Sequence, residues 1–205
     1  MNIFGTFSAN CPKAITSSGV AAGGHDAPVM ATSNDERMAR EMVTTAGHLG
    51  EHLEYHAVTP GDGNCFYHAL LDQIQNRPEV SELIAPGVAQ SEHLHDHFKL
   101  RQGMVNFVRE TVDPLILGQS EVEFHDFLQK QACPATFAED AVIQSAAIFL
   151  GVDIWLISAQ NTAVSRYTKI GSGRQPAQAH IILGYIPGIH FQSLYPALVR
   201  VDDQG

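Results

Sequence analysis

The order of two hydrophobic spacings along the chain constrains the fold most. Apolar residues three or four apart, the spacing of amphipathic helices, recur between residues 34 and 151, and short apolar runs typical of strands follow between residues 153 and 195. Helices followed by strands are the pattern of an α+β domain. A chain of 205 residues can bury one substantial core, and a second domain would leave both halves small. We therefore expect one α+β domain.

Capping and breaker residues set the bounds of the predicted elements. Asn34 is a candidate N-cap for the first helix, and a second helix begins at Cys65, directly after the Pro-Gly-Asp-Gly run at 60–63. A further helix ends at Gly151, which supplies a left-handed stop. The remaining predicted helices cover 100–111 and 121–130, and the predicted strands cover 54–59, 153–157, 165–169, 180–185 and 190–195.

The first 34 residues have a different composition from the rest of the chain. They hold seven Ser or Thr, six Ala and four Gly, and their charged residues are Lys13 and Asp26. Such a segment buries too little apolar surface to offset the entropy of ordering it. It also lacks the charged start and continuous apolar stretch of a secretory signal peptide. We expect a disordered tail over 1–34 and a folded domain over 35–205.

Charge and cysteine content exclude several classes of protein. Twelve Lys and Arg stand against 22 Asp and Glu, a net charge of -10, so nucleic acid would meet repulsion on most faces. No apolar run approaches the roughly 18 residues that a membrane helix needs. The three cysteines are odd in number and far apart, which argues against a disulfide framework and for a reducing compartment. We expect no nucleic-acid or membrane partner and a free thiol available for chemistry.

Cys65 is the candidate nucleophile. A helix N-terminus stabilises a thiolate, and the glycines before Cys65 allow the tight turn that such a position needs. Consecutive N–H groups at this turn can converge on a developing oxyanion, with Asp62, Gly63 and Cys65 as candidate donors. The predicted oxyanion loop therefore comprises Asp62, Gly63 and Asn64.

His190 is the candidate base. It follows a glycine-containing turn and begins a late strand, on which alternation sends His190 and Gln192 to one face. A neutral side-chain amide can fix the tautomer of a catalytic imidazole, so Gln192 is a candidate orienting residue, with Asp62 or a water molecule as alternatives. His68 is a weaker candidate base, because it lies on the helix that Cys65 begins. On that helix Phe66 is expected in the core and Tyr67 partly exposed near the cleft.

Three alternating histidines, at 93, 95 and 97, suggest metal ligands at first sight. No cysteine or second cluster completes a tetrahedral site at a recognisable spacing, so a solvated loop or helix start is the better interpretation. No metal and no cofactor are predicted.

The run TPGDGNCFYHAL at 59–70 resembles the nucleophile motif of the ovarian-tumour (OTU) cysteine proteases. In that motif an Asp-Gly-Asn-Cys core is followed by two bulky residues and a small one. Further matches occur in the family's order: Leu100-Arg101 in a helix, Ala138-Glu139-Asp140 opening an Ala-rich helix, and a closing His190-Phe191-Gln192. The chain departs from the pattern at Gln192, where the family has Asn or Asp, and at 136–138, where an aromatic-Gly pair is usual.

The resemblance implies a papain-like fold, with helices packed on a small, mostly antiparallel sheet. It also implies a deubiquitinase without cofactor, which hydrolyses the bond between the C-terminal glycine of ubiquitin and a lysine of conjugates or polyubiquitin. Cys65 would attack, His190 would deprotonate it, and Asp62 would shape the oxyanion loop. Two alternatives stay open: a catalytically weak or inactive ubiquitin-binding module, and a papain-like hydrolase acting on another ubiquitin-like modifier.

Ubiquitin as the substrate places the chain in eukaryotic cytosol or nucleus, as a soluble monomer. The Ser-, Ala- and Gly-rich tail at 1–34 resembles the uncleaved leaders of bacterial effectors that are injected into host cells. A plain disordered tail is the alternative.

Overall fold

The computed structural model describes residues 30–158, 163–167 and 180–197. Seven α-helices lie in this part of the chain: α1 Ser33–His48, α2 Cys65–Asn76, α3 Pro78–Ser81, α4 Pro86–Ala89, α5 His97–Thr111, α6 Glu121–Ala132 and α7 Asp140–Leu150. Two 3-10 helices, Glu92–Leu94 and Pro114–Leu117, lie before and after α5. Among these helices, none is long and apolar enough to cross a membrane.

Six strands follow or flank the helices: β1 Leu53–Glu54, β2 Ile154–Ser158, β3 Ala163–Tyr167, β4 Ile181–Ile186, β5 His190–Ser193 and β6 Tyr195–Pro196. Four of them form a sheet in the order β3-β2-β4-β5, in which β2 and β4 are parallel and the other two pairs are antiparallel. β1 and β6 form a separate antiparallel pair. The predicted α+β fold, with helices on a small, mostly antiparallel sheet, is confirmed.

The sheet is buried on both faces, which explains the almost continuous apolar run of β4. Ile181 and Leu183 pack into the larger core with α2, α5, α6 and α7, whereas Ile182 packs against α1 on the opposite face. Gly184 lies where α1 approaches the sheet most tightly, since a Cβ there would overlap the side chain of Met42. The helix that begins at Cys65 packs on the opposite face from α1, against the sheet that carries His190.

A buried glutamine on α2 fixes this helix to two strands. The Gln73 amide nitrogen donates to Ser193 Oγ at 2.9 Å and to the Leu194 carbonyl at 2.8 Å. Its oxygen accepts from the Ile182 N–H at 3.1 Å and from Arg77 at 2.8 Å. Because a buried amide needs all of its partners, these bonds define how α2 sits against β4 and β5.

The structure differs from the sequence predictions at the start of the domain. Thr32, not Asn34, is the N-cap of α1: its hydroxyl accepts from the Asp35 N–H at 3.3 Å, and the Asp35 carboxylate accepts from the Thr32 N–H at 2.7 Å. The Asn34 side chain instead bonds to Arg37 at 3.0 Å. A reciprocal pair satisfies two helix N–H groups, which a single Asn34 cap would not do.

Two further predictions need correction. The strand expected at 54–59 is only the two residues of β1. Further along this segment, the Thr59 N–H bonds to the side chain of Gln192 instead of to a neighbouring strand. The segment 86–97, which no predicted helix or strand covers, contains α4 and a 3-10 helix before α5 begins at His97. The predicted helices at Cys65, 100–111 and 121–130 and the stop at Gly151, with φ of 71°, are confirmed.

Candidate active site

The loop before α2 is built around two glycines. Gly63 has φ of 77°, in the left-handed region, and a Cβ there would overlap the backbone of Ala135. A Cβ at Gly61 would overlap the carboxylate of Asp35. The loop therefore passes between close neighbours on both sides and delivers Cys65 as the first residue of α2.

The Asp62 carboxylate holds this loop in shape. Oδ1 accepts from the Asn64 N–H at 2.8 Å, and Oδ2 accepts from the Asn64 amide at 3.2 Å and lies 3.1 Å from Nε2 of His68. Burial raises the pKa of Asp62, but the hydrogen bonds from His68 and Asn64 outweigh burial and lower the pKa to about 2. Asp62 is therefore ionised at neutral pH.

Arg101 on α5 anchors the loop from inside the core. Its side chain is fully buried and donates four hydrogen bonds. Three come from Nη2, and they join the two halves of the loop region: Gly63 O at 3.0 Å, Asn64 Oδ1 at 2.9 Å and Thr136 O at 2.8 Å. The fourth runs from Nη1 to Gln131 O at 2.9 Å. One guanidinium thus connects the loop before Cys65 to the segment after α6.

Phe66 and Tyr67, which follow Cys65, both face the core. Phe66 is buried as predicted. The prediction that Tyr67 is partly exposed is wrong, since none of its surface reaches solvent. The guanidinium carbon of Arg101 lies 4.1 Å from the centroid of the Tyr67 ring, and a buried cation is stabilised by such an aromatic face.

Cys65 is 1% exposed, and burial is the largest influence on the pKa of its thiol. Burial raises its pKa to about 11, with a smaller contribution from the negative charge of Asp62. The N–H groups of Phe191 and Phe66 act in the opposite sense, which places the sulfur between the start of α2 and strand β5. Cys65 is a free cysteine within the described part of the chain, as predicted.

His190 begins β5 and pairs with Ile186 across the turn from β4. Its side chain is fully buried, and within the described part of the chain neither ring nitrogen has a hydrogen-bond partner. Burial lowers the pKa of His190, and the charges of Asp35 and Asp62 offset only part of that effect. The imidazole is therefore neutral, with both nitrogens available.

Gln192 lies on β5 two residues after His190, yet its amide is directed to the backbone. Its oxygen accepts from the Thr59 N–H at 2.9 Å, and its nitrogen donates to the carbonyls of Ala57 at 2.8 Å and Ser193 at 2.9 Å. These three bonds join β5 to the segment that leads into the nucleophile loop. The structure does not bring the Gln192 amide to the His190 ring.

An open groove lies beside the turn between β4 and β5. Its lining includes Phe137, Glu139, Asp140, Tyr185 and Gly188. The Phe137 and Tyr185 rings both stack on Phe191, the residue after His190, with centroids 4.9 Å and 4.8 Å away. The groove therefore leads, along one aromatic wall, to the strand that carries His190.

Sequence reasoning missed three contributions to the site. Asp35 caps α1 and also places its charge near His190, and no local pattern could show that. The His68 side chain is hydrogen-bonded to Asp62, and the sequence does not predict this contact. The sequence predicts only that Arg101 lies in a helix, and the signal for its role is that it is a single charged residue within a buried helix face.

The chain matches the family model of the OTU-like cysteine proteases over residues 60–191. The chain belongs to this family. A relative from Arabidopsis thaliana, OVARIAN TUMOR DOMAIN-containing deubiquitinating enzyme 9, is 25% identical over 139 residues. That match covers 66% of this chain and 34% of the relative, so the chain spans about a third of the relative's length.

Solved structures of OTU domains share the fold. The OTU domain of OTUD1 aligns with a TM-score of 0.53 at 16% identity, over 78% of this chain and 98% of that domain. The ceOTUB1 chain of a complex with ubiquitin aldehyde and UBC13~Ub aligns with a TM-score of 0.52 at 16% identity, over 77% of this chain and 86% of that chain. The papain-like OTU fold inferred from the motif is confirmed.

Proposed function

We propose that this OTU protein is a deubiquitinase, a thiol isopeptidase that hydrolyses the bond between the C-terminal glycine of ubiquitin and a lysine of conjugates or polyubiquitin chains. One observation carries the proposal. The free thiol of Cys65 lies at the start of α2 against the N–H of Phe191, directly after His190, whose ring nitrogens have no partner among the described residues. A nucleophile and an uncommitted base on adjoining elements are what acyl transfer requires.

In the proposed reaction the Cys65 sulfur forms a bond to the carbonyl carbon of the ubiquitin glycine while His190 takes the thiol proton. N–H groups at the start of α2 stabilise the resulting oxyanion. His190 then gives the proton to the lysine amine, the carbon–nitrogen bond breaks, and a thioester remains. Water loses a proton to His190 and attacks the thioester, which releases the ubiquitin carboxylate and restores Cys65.

The positive charge that develops on His190 needs a negative partner. Asp35 and Asp62 both favour the protonated form of His190. Gln192 is already bonded to Thr59 and Ala57, so we assign it to holding the loop segment. The two carboxylates, acting at a distance, are proposed to stabilise the imidazolium in place of a directly bonded third residue.

The groove beside β5 is proposed to receive the C-terminal tail of ubiquitin, which is basic and ends in two glycines. Glu139 and Asp140 contribute carboxylates to the groove, and the Glu139 carboxylate is 2.8 Å from Lys130. Tyr185 and Phe137 provide flat apolar walls against which a glycine-ended strand can lie. This acidic groove suits a basic peptide segment.

Reaction with ubiquitin that carries a thiol-reactive C-terminal group tests the proposal. The purified protein should gain the mass of one ubiquitin, Cys65→Ala should gain none, and His190→Ala should react far more slowly. His48→Ala, an exposed histidine at the end of α1, is the matched control and should react like the unaltered protein. A folded protein that forms no adduct would instead favour the ubiquitin-binding module or a hydrolase for another modifier.

A deubiquitinase must act where ubiquitin exists, so we propose action as a monomer in eukaryotic cytosol or nucleus. The composition of residues 1–34 supports delivery by a bacterial secretion system as the route. Removal of residues 1–34 should abolish translocation in a secretion assay, and unchanged delivery would contradict this route.

A further inference from the structure

Three potential metal ligands meet beside the nucleophile loop, and the mechanism above uses only one of them. A carboxylate oxygen of Asp62 and one ring nitrogen each of His68 and His97 all lie within 4.8 Å of one another. His68 Nε2 is 3.1 Å from Asp62 Oδ2, and the His68 and His97 ring centroids are 4.0 Å apart. All three residues are partly exposed, so an ion can reach them from solvent.

Each ligand is supplied by a different, well-anchored element. Asp62 belongs to the loop whose backbone Arg101 holds. His68 lies one turn into α2, and His97 is the first residue of α5, whose N-cap Asp96 accepts from the Lys99 N–H at 2.8 Å. The cluster is therefore fixed by the same packing of α2, α5 and the loop that forms the active site.

The donor set is that of zinc rather than of magnesium or calcium. Two imidazoles and one carboxylate, with a fourth position open to solvent, match a common zinc coordination, whereas Mg²⁺ and Ca²⁺ prefer oxygen ligands. Zinc–nitrogen and zinc–oxygen bonds of about 2.0–2.2 Å need ligand atoms closer than 4.8 Å, and the 3.1 Å between His68 Nε2 and Asp62 Oδ2 already meets this requirement.

We propose that Asp62, His68 and His97 form a zinc-binding site on the nucleophile loop. The ion takes Oδ2 of Asp62, while Oδ1 keeps its bond to the Asn64 N–H, so that the loop retains its shape with the metal bound. Sequence spacing does not reveal this site, because the pair His68 and His97 is separated by two helices and a 3-10 turn. The site does not depend on the proposed deubiquitinase activity, because binding needs no ubiquitin.

Calorimetric titration with zinc chloride tests the site in a Cys65→Ala background, in which the reactive thiol cannot bind the ion. We expect one zinc per chain with a dissociation constant in the micromolar range or tighter, and a rise in Tm with added zinc. His68→Ala and His97→Ala should each weaken binding at least tenfold. His95→Ala is the matched control, since this exposed histidine lies two residues before His97 and outside the cluster, and should bind as tightly as the background.

Two results would overturn the proposal. The first is the absence of saturable zinc binding by a protein with an unaltered circular dichroism spectrum. The second is binding that survives unchanged in both His68→Ala and His97→Ala, which would place the ion elsewhere. Titration with magnesium chloride should show no binding, and a magnesium affinity equal to that for zinc would also contradict a site built on imidazoles.

Discussion

The two halves of the active site are organised in opposite ways. On the side of Cys65, Asp62, Asn64 and Arg101 make seven hydrogen bonds with one another and with the surrounding backbone, although Arg101 Nε lacks a partner in the described part of the chain. On the other side, His190 is equally buried, yet neither ring nitrogen has a partner within the described residues. Leaving a buried polar group unpaired costs roughly 1–3 kcal/mol, so the two unpaired ring nitrogens of His190 lower the stability of the fold.

This difference indicates what substrate binding must change. The loop before Cys65 is held in one shape, because its glycines pass close to neighbouring atoms and the buried Arg101 binds its backbone. The pair of Cys65 and His190 is neutral, since burial raises the pKa of the thiol and lowers the pKa of the imidazole. We infer that an arriving substrate supplies the polar partners that the base lacks.

The largest effect is expected from Arg101→Met. Four carbonyl or amide oxygens around the loop would each lose one donor, and the free energy of unfolding should fall by about 3–5 kcal/mol, as for other broken buried charged networks. Urea unfolding measures the loss. Arg37→Met, an exposed arginine on α1, is the control and should change stability by less than about 0.5 kcal/mol. Equal, small effects at both positions would show that the loop does not depend on Arg101.

Gln192→Ala should cost about 2–3 kcal/mol, because the buried Thr59 N–H and the Ala57 carbonyl lose their partner. The exposed Gln75→Ala is the control. If Gln192 only holds the backbone, the pH profile of kcat/KM for cleavage of a ubiquitin conjugate should have the same midpoints in Gln192→Ala as in the unaltered protein. A shifted midpoint would mean that Gln192 orients His190 after all.

Asp62→Asn should lower stability at pH 7 by roughly 2 kcal/mol, since the pKa of Asp62 falls from 3.8 to about 2 on folding. A carboxyl with a lowered folded pKa stabilises the protein above its unfolded pKa. The difference between Asp62→Asn and the unaltered protein should therefore shrink as the pH falls from about 4 toward 2. Urea unfolding across this range measures it, with the exposed Asp126→Asn as control. A pH-independent difference would mean that the charge of Asp62 is not what stabilises the loop.

The smallest effect concerns His190 and pH. Because the pKa of His190 is lowered below 6.5, the unfolded state binds more protons below pH 6.5, and the native state loses stability as the pH falls through that value. His190→Gln should remove this dependence of the unfolding free energy on pH, whose slope for one group is at most about 1.4 kcal/mol per pH unit. Thermal unfolding between pH 7.5 and 5 measures it. The exposed His48→Gln should keep the slope, and its retention in His190→Gln would contradict a buried, neutral His190.

The sequence predicted the parts of the site that depend on short-range pattern. The breaker run at 60–63 and the helical spacing after it were enough to place Cys65 at the start of α2, and alternation placed His190 at the start of a strand. The functional roles of both residues stay predictions until activity is measured.

The remaining features of the site depend on contacts between residues that are far apart in the sequence. Gln192 bonds to Thr59 across 133 positions of sequence, and that partner could not be read from the neighbours of Gln192. The prediction that Tyr67 is partly exposed near the cleft is wrong because the arginine that covers its ring comes from another helix. Asp35 reaches Gly61 only once α1 is packed on the sheet.

The rate of alkylation of Cys65 by iodoacetamide, followed by peptide mass between pH 6 and 11, tests the neutral resting pair most directly. The structure predicts slow alkylation at pH 7, rising with an apparent pKa well above 9, while ubiquitin with a thiol-reactive C-terminus reacts rapidly at pH 7. Fast alkylation at pH 7 with an apparent pKa below 7 would show a preformed thiolate. In that case both halves of the site would already be active before ubiquitin arrives.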